Sequence, residues 1–137
     1  MERDAYLEAL RRNRQLDELA DGELADLIDA CRPRRLITGD ALWATGDEGA
    51  SAYILIGGRV ELSWRVHPDG KQKKQLSRPG TMLGLPHLVY PWPHESAAYP
   101  LEQTEVLRLD RQAFDELFDA QHPAAFRLVD AVAEELV

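Results

Sequence analysis

Hydrophobic positions change their period twice along the chain and divide it into three stretches. Up to residue 33 the pattern is helical. Leu24, Leu27, Ile28 and Cys31 fall at i, i+3, i+4 and i+7, which marks one apolar face. Asp21 is placed to cap that helix, Glu23 suits its positive end, and Pro33 stops it. From residue 34 to 109 the period shortens to two. Val60, Leu62, Trp64 and Val66 alternate with Glu61, Ser63 and Arg65, as in a strand with one buried face. Asp69-Gly70 signals a tight turn, and the lysine-rich segment after it reads as the returning strand of a hairpin. The continuous run Tyr53-Ile54-Leu55-Ile56 predicts a central strand. Many short strands at this turn spacing point to a roll or barrel more than to an alternating α/β fold.

Residues 110–137 return to the helical period. Asp110 is expected to cap a short helix whose Phe114, Leu117 and Phe118 share a face, and Pro123 suits the first position of the next helix. There Phe126, Val129, Ala133 and Leu136 recur at 3-4-3 spacing, while Leu128 and Val132 extend the stripe to a second side. Two uses of this stripe stay open. One side covers the roll while the other meets a partner helix, or the whole stripe covers its own domain.

The length of 137 residues fits one domain, and 45% hydrophobic with 29% charged residues is the balance of a packed, water-soluble core. No apolar run reaches the roughly 20 residues of a membrane span. The charged start, Met1-Glu2-Arg3-Asp4, has no signal-peptide core, and one cysteine, Cys31, allows no internal disulfide, so a reducing, cytoplasmic home is expected. The Met1 start favours a natural N-terminus, while nothing fixes the C-terminus. A net charge of −8 opposes binding to nucleic acid or anionic membranes. The clusters Arg32-Arg34-Arg35 and Lys71-Lys73-Lys74 read as solvated edges.

Glycines and acids punctuate the middle stretch in a distinctive order. Gly39-Asp40-Ala41-Leu42-Trp43 is followed by Gly46-Asp47, then by Tyr53-Ile54-Leu55-Ile56-Gly57-Gly58-Arg59-Val60, Gly70 and Pro79-Gly80-Thr81-Met82-Leu83-Gly84. This order, from about Leu16 to Val132, resembles the cyclic-nucleotide-binding domain of catabolite-activator-type regulators, cyclic-nucleotide-dependent kinases and gated channels. The resemblance implies a mainly β fold with flanking helices: an eight-stranded, jelly-roll-like β-roll (a double-stranded β-helix) between N-terminal and C-terminal helices. It also implies a short helix near 85–90, the phosphate-binding cassette, within a single domain.

In that family the cassette opens with Phe-Gly-Glu and ends near Pro-Arg-Ala; the glutamate holds the ribose hydroxyl and the arginine neutralises the cyclic phosphate. Here Leu83 and Gly84 match, Leu85 takes the glutamate position and His94 takes the arginine position after Pro93. Glu95 adds a negative charge beside the phosphate, and Pro86 removes one backbone donor. Losing two charge-assisted contacts costs about 3–6 kcal/mol, or about 2–4 decades of affinity. Protonated His94 would recover part of this near its ordinary pKa of about 6.5. The altered pocket, with Gly84, Leu85, His87, His94, Glu95 and Ser96 as candidate ligand-binding residues, is therefore expected to hold cyclic AMP or cyclic GMP weakly or not at all. Leu85, Leu88, Val89 and Trp92 are expected to replace its polar grip. Either the pocket is filled, with Tyr90-Pro91-Trp92-Pro93 closing over it, or it takes a more apolar or neutral ligand.

Other chemistry finds little support. His67, His87, His94 and His122 show no His-x-His pair of the cupin kind, so no metal site is expected, and no cofactor. Cys31 on a helix face reads as a core residue. No nucleophile elbow or glycine-rich phosphate loop occurs, and no catalytic residue is assigned. The leading expectation is a non-catalytic regulatory or interaction module, whose protein partner or second copy meets Phe126, Val129, Ala133 and Leu136. The alternative is a sensor that binds a cyclic nucleotide or other small-molecule effector and signals through the C-terminal helix.

Overall fold

The computed structural model describes residues 2–66, 68 and 70–136. Two helices, α1 (Glu2–Arg11) and α2 (Asp21–Ala30), precede seven strands. These are β1 (Arg32–Leu36), β2 (Ser51–Gly57), β3 (Val60–Val66), β4 (Gly70–Leu76), β5 (Met82–Leu83), β6 (Ser96–Pro100) and β7 (Thr104–Asp110). One turn of 3-10 helix, Leu85–Leu88, lies between β5 and β6, and α3 (Arg111–Asp119) and α4 (Pro123–Leu136) follow. The strands form two antiparallel sheets, ordered β1-β7-β2-β5 and β4-β3-β6. The described residues thus form seven strands where the resemblance implied eight, with isolated bridges at Trp43–Ala98 and Glu48–Pro93 besides.

The unbroken apolar run of β2 has a direct cause. The four-stranded sheet is covered on both faces, so both sets of alternating side chains are buried. Tyr53 and Leu55 face the other sheet, in a cluster with Leu36, Trp43, Val60, Leu83, Ala98 and Val106. Ala52 and Ile54 face the helices, in a second cluster with Leu24, Leu27, Ile28, Cys31, Phe114, Leu128 and Val132. Burial raises the Cys31 thiol to about 12, so this sulfur is an inert core group.

Several local expectations need correction. Ala20, not Asp21, occupies the cap position of α2; its N–H donates to Glu23 Oε1 at 2.9 Å, while Asp21 is the first helical residue and pairs with Arg11. Asp110 does occupy the cap position of α3, but its carboxylate accepts from Ser51 Oγ and Arg108 Nε, both at 2.7 Å, instead of from the helix. Burial alone would raise its pKa; these two donors outweigh that and hold it low. β3 alternates imperfectly because Leu62 and Trp64 line a cavity and stay half-buried. The lysine-rich segment is the returning strand, pairing from Val60–Leu76 to Val66–Gly70. Asp69 of the expected Asp69-Gly70 turn lies outside the described residues, as does His67.

Candidate functional site

The cassette segment begins where Gly84 turns the chain at φ 72, a left-handed conformation that suits glycine. A 3-10 turn brings residues i and i+3 to one side. Leu85 and Leu88 therefore point together into the helix-side core, where both are buried. This corrects the expectation for three residues: Leu85 and Leu88 do not line the pocket, and Val89 is exposed. The other side of the turn, with Pro86 and His87, faces an open cavity of about 960 Å³.

Four structures wall this cavity. Gly84, Pro86, His87 and the segment Trp92–Ser96 form the cassette wall; Leu62, Trp64 and Arg65 of β3 with Lys74 and Leu76 of β4 form a second wall. Thr81, Met82, Leu83 and Trp43 add a third side, and the last residues of α4, Glu135 and Leu136, a fourth. Of the six candidate ligand residues, Gly84, His87, His94, Glu95 and Ser96 are brought together here and Leu85 is not. Tyr90 and Trp92 stack at 4.4 Å, but Trp92 remains 50% exposed and the cavity stays open beneath.

His94 is 6% exposed, stacked on Trp43 at 4.2 Å and in contact with the His87 ring at 3.8 Å. Desolvation, reinforced by His87 and opposed by Asp47, lowers its pKa to about 4. Burial likewise lowers that of His87. Both rings are thus neutral at pH 7, and His94 cannot supply the phosphate charge expected of it near pH 6. Four backbone N–H groups of the cassette are also occupied. His87 N–H donates to Gly84 O, Val89 and Tyr90 N–H to Pro86 O, and His94 N–H to Asp47 O at 2.8 Å.

Two residues that the sequence did not single out organise this wall. Arg111 opens α3, and its guanidinium donates to the carbonyls of Gly49, His87 and Tyr90, the last at 3.1 Å. It clamps the cassette to α3. Gly49 makes room for His87: a Cβ there would lie 2.0 Å from Nδ1 of that ring. The nearest sequence signal is weak, an arginine just after a strand and one more glycine in a loop.

On α4, Phe126 and Leu136 are exposed, Ala133 is exposed, and Val129 is half-buried against the helix-side core. Phe126 meets Phe118 edge-on at 5.6 Å, and Phe118 is exposed as well. Among the described residues no group of three or more His, Cys, Asp or Glu is placed to hold a metal ion. No helix among them is long and apolar enough to cross a membrane.

Comparison with known proteins agrees with this architecture. The profile of the family described as cyclic nucleotide-binding domain matches residues 33–121. A CRP-like cAMP-activated global transcriptional regulator of Mycobacterium tuberculosis is 29% identical over 91 residues, 66% of this chain and 40% of that protein. The match thus spans about two-fifths of that relative's length. Among solved structures, the N-terminal domain of a transcriptional regulator from Streptomyces coelicolor A3(2) superposes with a TM-score of 0.77 at 28% identity, covering 93% of this chain and 90% of that one. The Thermus thermophilus catabolite activator protein gives 0.75 at 27%, covering 89% and 57%. A domain from Methylobacillus flagellatus KT gives 0.83 at 16%, covering 98% and 78%, a likeness of fold alone.

Proposed function

The chain belongs to the cyclic nucleotide-binding domain family, and on that premise we propose that it is a non-catalytic sensor domain. It reads a small molecule in the cavity beneath the 3-10 turn, without the usual phosphate grip, and reports through α4. One observation carries this reading. The cavity is open and bordered by the end of α4, yet its cassette wall holds two neutral histidines and Glu95 where a phosphate needs positive charge. Partners, and a cytoplasmic location, are part of the same proposal.

Calorimetric titration with cyclic AMP and cyclic GMP at pH 6 and pH 7.5 tests it. No binding is expected at micromolar concentration, and no gain at pH 6, because His94 is neutral at both values. Micromolar binding at both would overturn the altered-grip reading. The exposed Phe118–Phe126 pair supports a second role, docking of a second copy or a protein partner on α4.

A further inference from the structure

The charges and donors around the cavity specify the kind of molecule it suits. Its lining carries Arg65 and Lys74 on the hairpin wall, against Glu95 beside the cassette and Glu135 at the end of α4, so the charged groups cancel. A further cation behind the cassette, Arg111, is committed to three backbone carbonyls. Anion capture by a helix start needs free N–H groups; here Pro86 has none, and the His87, Val89, Tyr90 and His94 N–H groups are already bonded within the protein. What remains is aromatic surface with neutral polar edges. Trp43, Trp64 and Trp92 reach the cavity, and the uncharged imidazoles of His87 and His94 line it, although Nδ1 of His87 is enclosed against Gly49 and faces away from any ligand. Aromatic surfaces of this kind hold planar bases by stacking, whatever their edge pattern.

Building on the reading of the cavity as a sensory site, we infer that its ligand is an uncharged, planar heteroaromatic molecule of nucleoside size. Its ring stacks against tryptophan, its polar edge meets His94 and the side of His87 away from the enclosed Nδ1, and it carries no phosphate. A phosphorylated analogue would bring its charge toward Glu95 and a turn whose His87, Val89, Tyr90 and His94 N–H groups are already bonded.

The experiment titrates the intact protein at pH 7.5 with adenosine, guanosine, cyclic AMP and cyclic GMP, followed by tryptophan fluorescence and calorimetry. At least one nucleoside is expected to bind ten times or more tightly than its own cyclic monophosphate. Trp92→Ala, at an exposed position, is expected to weaken that nucleoside at least tenfold with the melting temperature held. Glu95→Arg, also exposed, is expected to shift the preference at least tenfold toward the cyclic nucleotide. A cyclic nucleotide that binds as tightly as its nucleoside, or more so, overturns the ligand class while leaving a sensory cavity. Folded protein that binds neither class at millimolar concentration overturns both the ligand class and the sensory reading.

Discussion

His94 and Arg111 sit within one short stretch of structure and make opposite demands on charge. His94 has a folded pKa of about 4 against an ordinary 6.5, so the folded protein resists a proton that the unfolded chain accepts. Its contribution is intact above pH 6.5 and is lost progressively as the pH falls toward 4, at a rate of up to about 1.4 kcal/mol per pH unit. His87, lowered by the same burial, adds in the same direction. His94→Phe keeps an aromatic ring on Trp43 and removes the titration. Urea midpoints measured from pH 4.5 to 7.5 should fall less steeply in this variant than in the parent protein; parallel profiles would show that His94 is not the group responsible. Arg111 needs its charge and its planar fork. Arg111→Met leaves three carbonyls short of a donor and should cost about 2–4 kcal/mol, with faster amide exchange in residues 85–94. Arg111→Lys should recover only part, since Nε and Nη2 both donate to the His87 carbonyl and a lysine has no second nitrogen to replace that pair.

At the scale of elements, the 3-10 turn rests on Leu85 and Leu88. Leu88→Ala opens a space in a fully packed core and should cost about 2–5 kcal/mol in chemical denaturation, while Val89→Ala, one residue on and exposed, should change stability by less than about 0.5 kcal/mol. The contrast also marks the limit of what was legible beforehand. β3 and the buried face of α2 follow from periodicity, because many residues repeat the same signal, while β2 follows from its unbroken apolar run and the β3–β4 pairing from the Asp69-Gly70 turn signal. The family punctuation added the roll and located the cassette. A four-residue turn has no period to read, so matching Leu85 to a ligand position left its direction open, and packing against the helices turned it inward. Capping failed for a similar reason. Asp110 was recognised as a cap by type, but Ser51 and Arg108, 59 and 2 residues away in sequence, claimed its carboxylate first. Arg111 was missed because its three acceptors are backbone carbonyls, which leave no mark on composition or spacing.

Across the whole molecule, α4 joins the two places where function is expected. Leu128 and Val132 anchor it in the helix-side core, Leu136 and Glu135 reach the cavity, and Phe126 looks outward beside Phe118. A change at the cavity end can thus reach the outer face through one rigid element, provided the ligand favours one position of the helix over another. The outer face can be tested apart from the cavity. Val129 is a poor choice, since it packs on the core and a charge there would threaten folding. Phe126 is 45% exposed and outside the core clusters, so Phe126→Asp removes apolar surface without burying a charge. If a second copy docks on this face, sedimentation of the variant should show at least a tenfold weaker self-association, with a melting temperature within a few degrees of the parent and ligand binding in the cavity unchanged. Self-association that survives the substitution would place the contact elsewhere. A monomeric parent protein would leave Phe118 and Phe126 available to a different partner, whose contact surface would then need apolar side chains to match them.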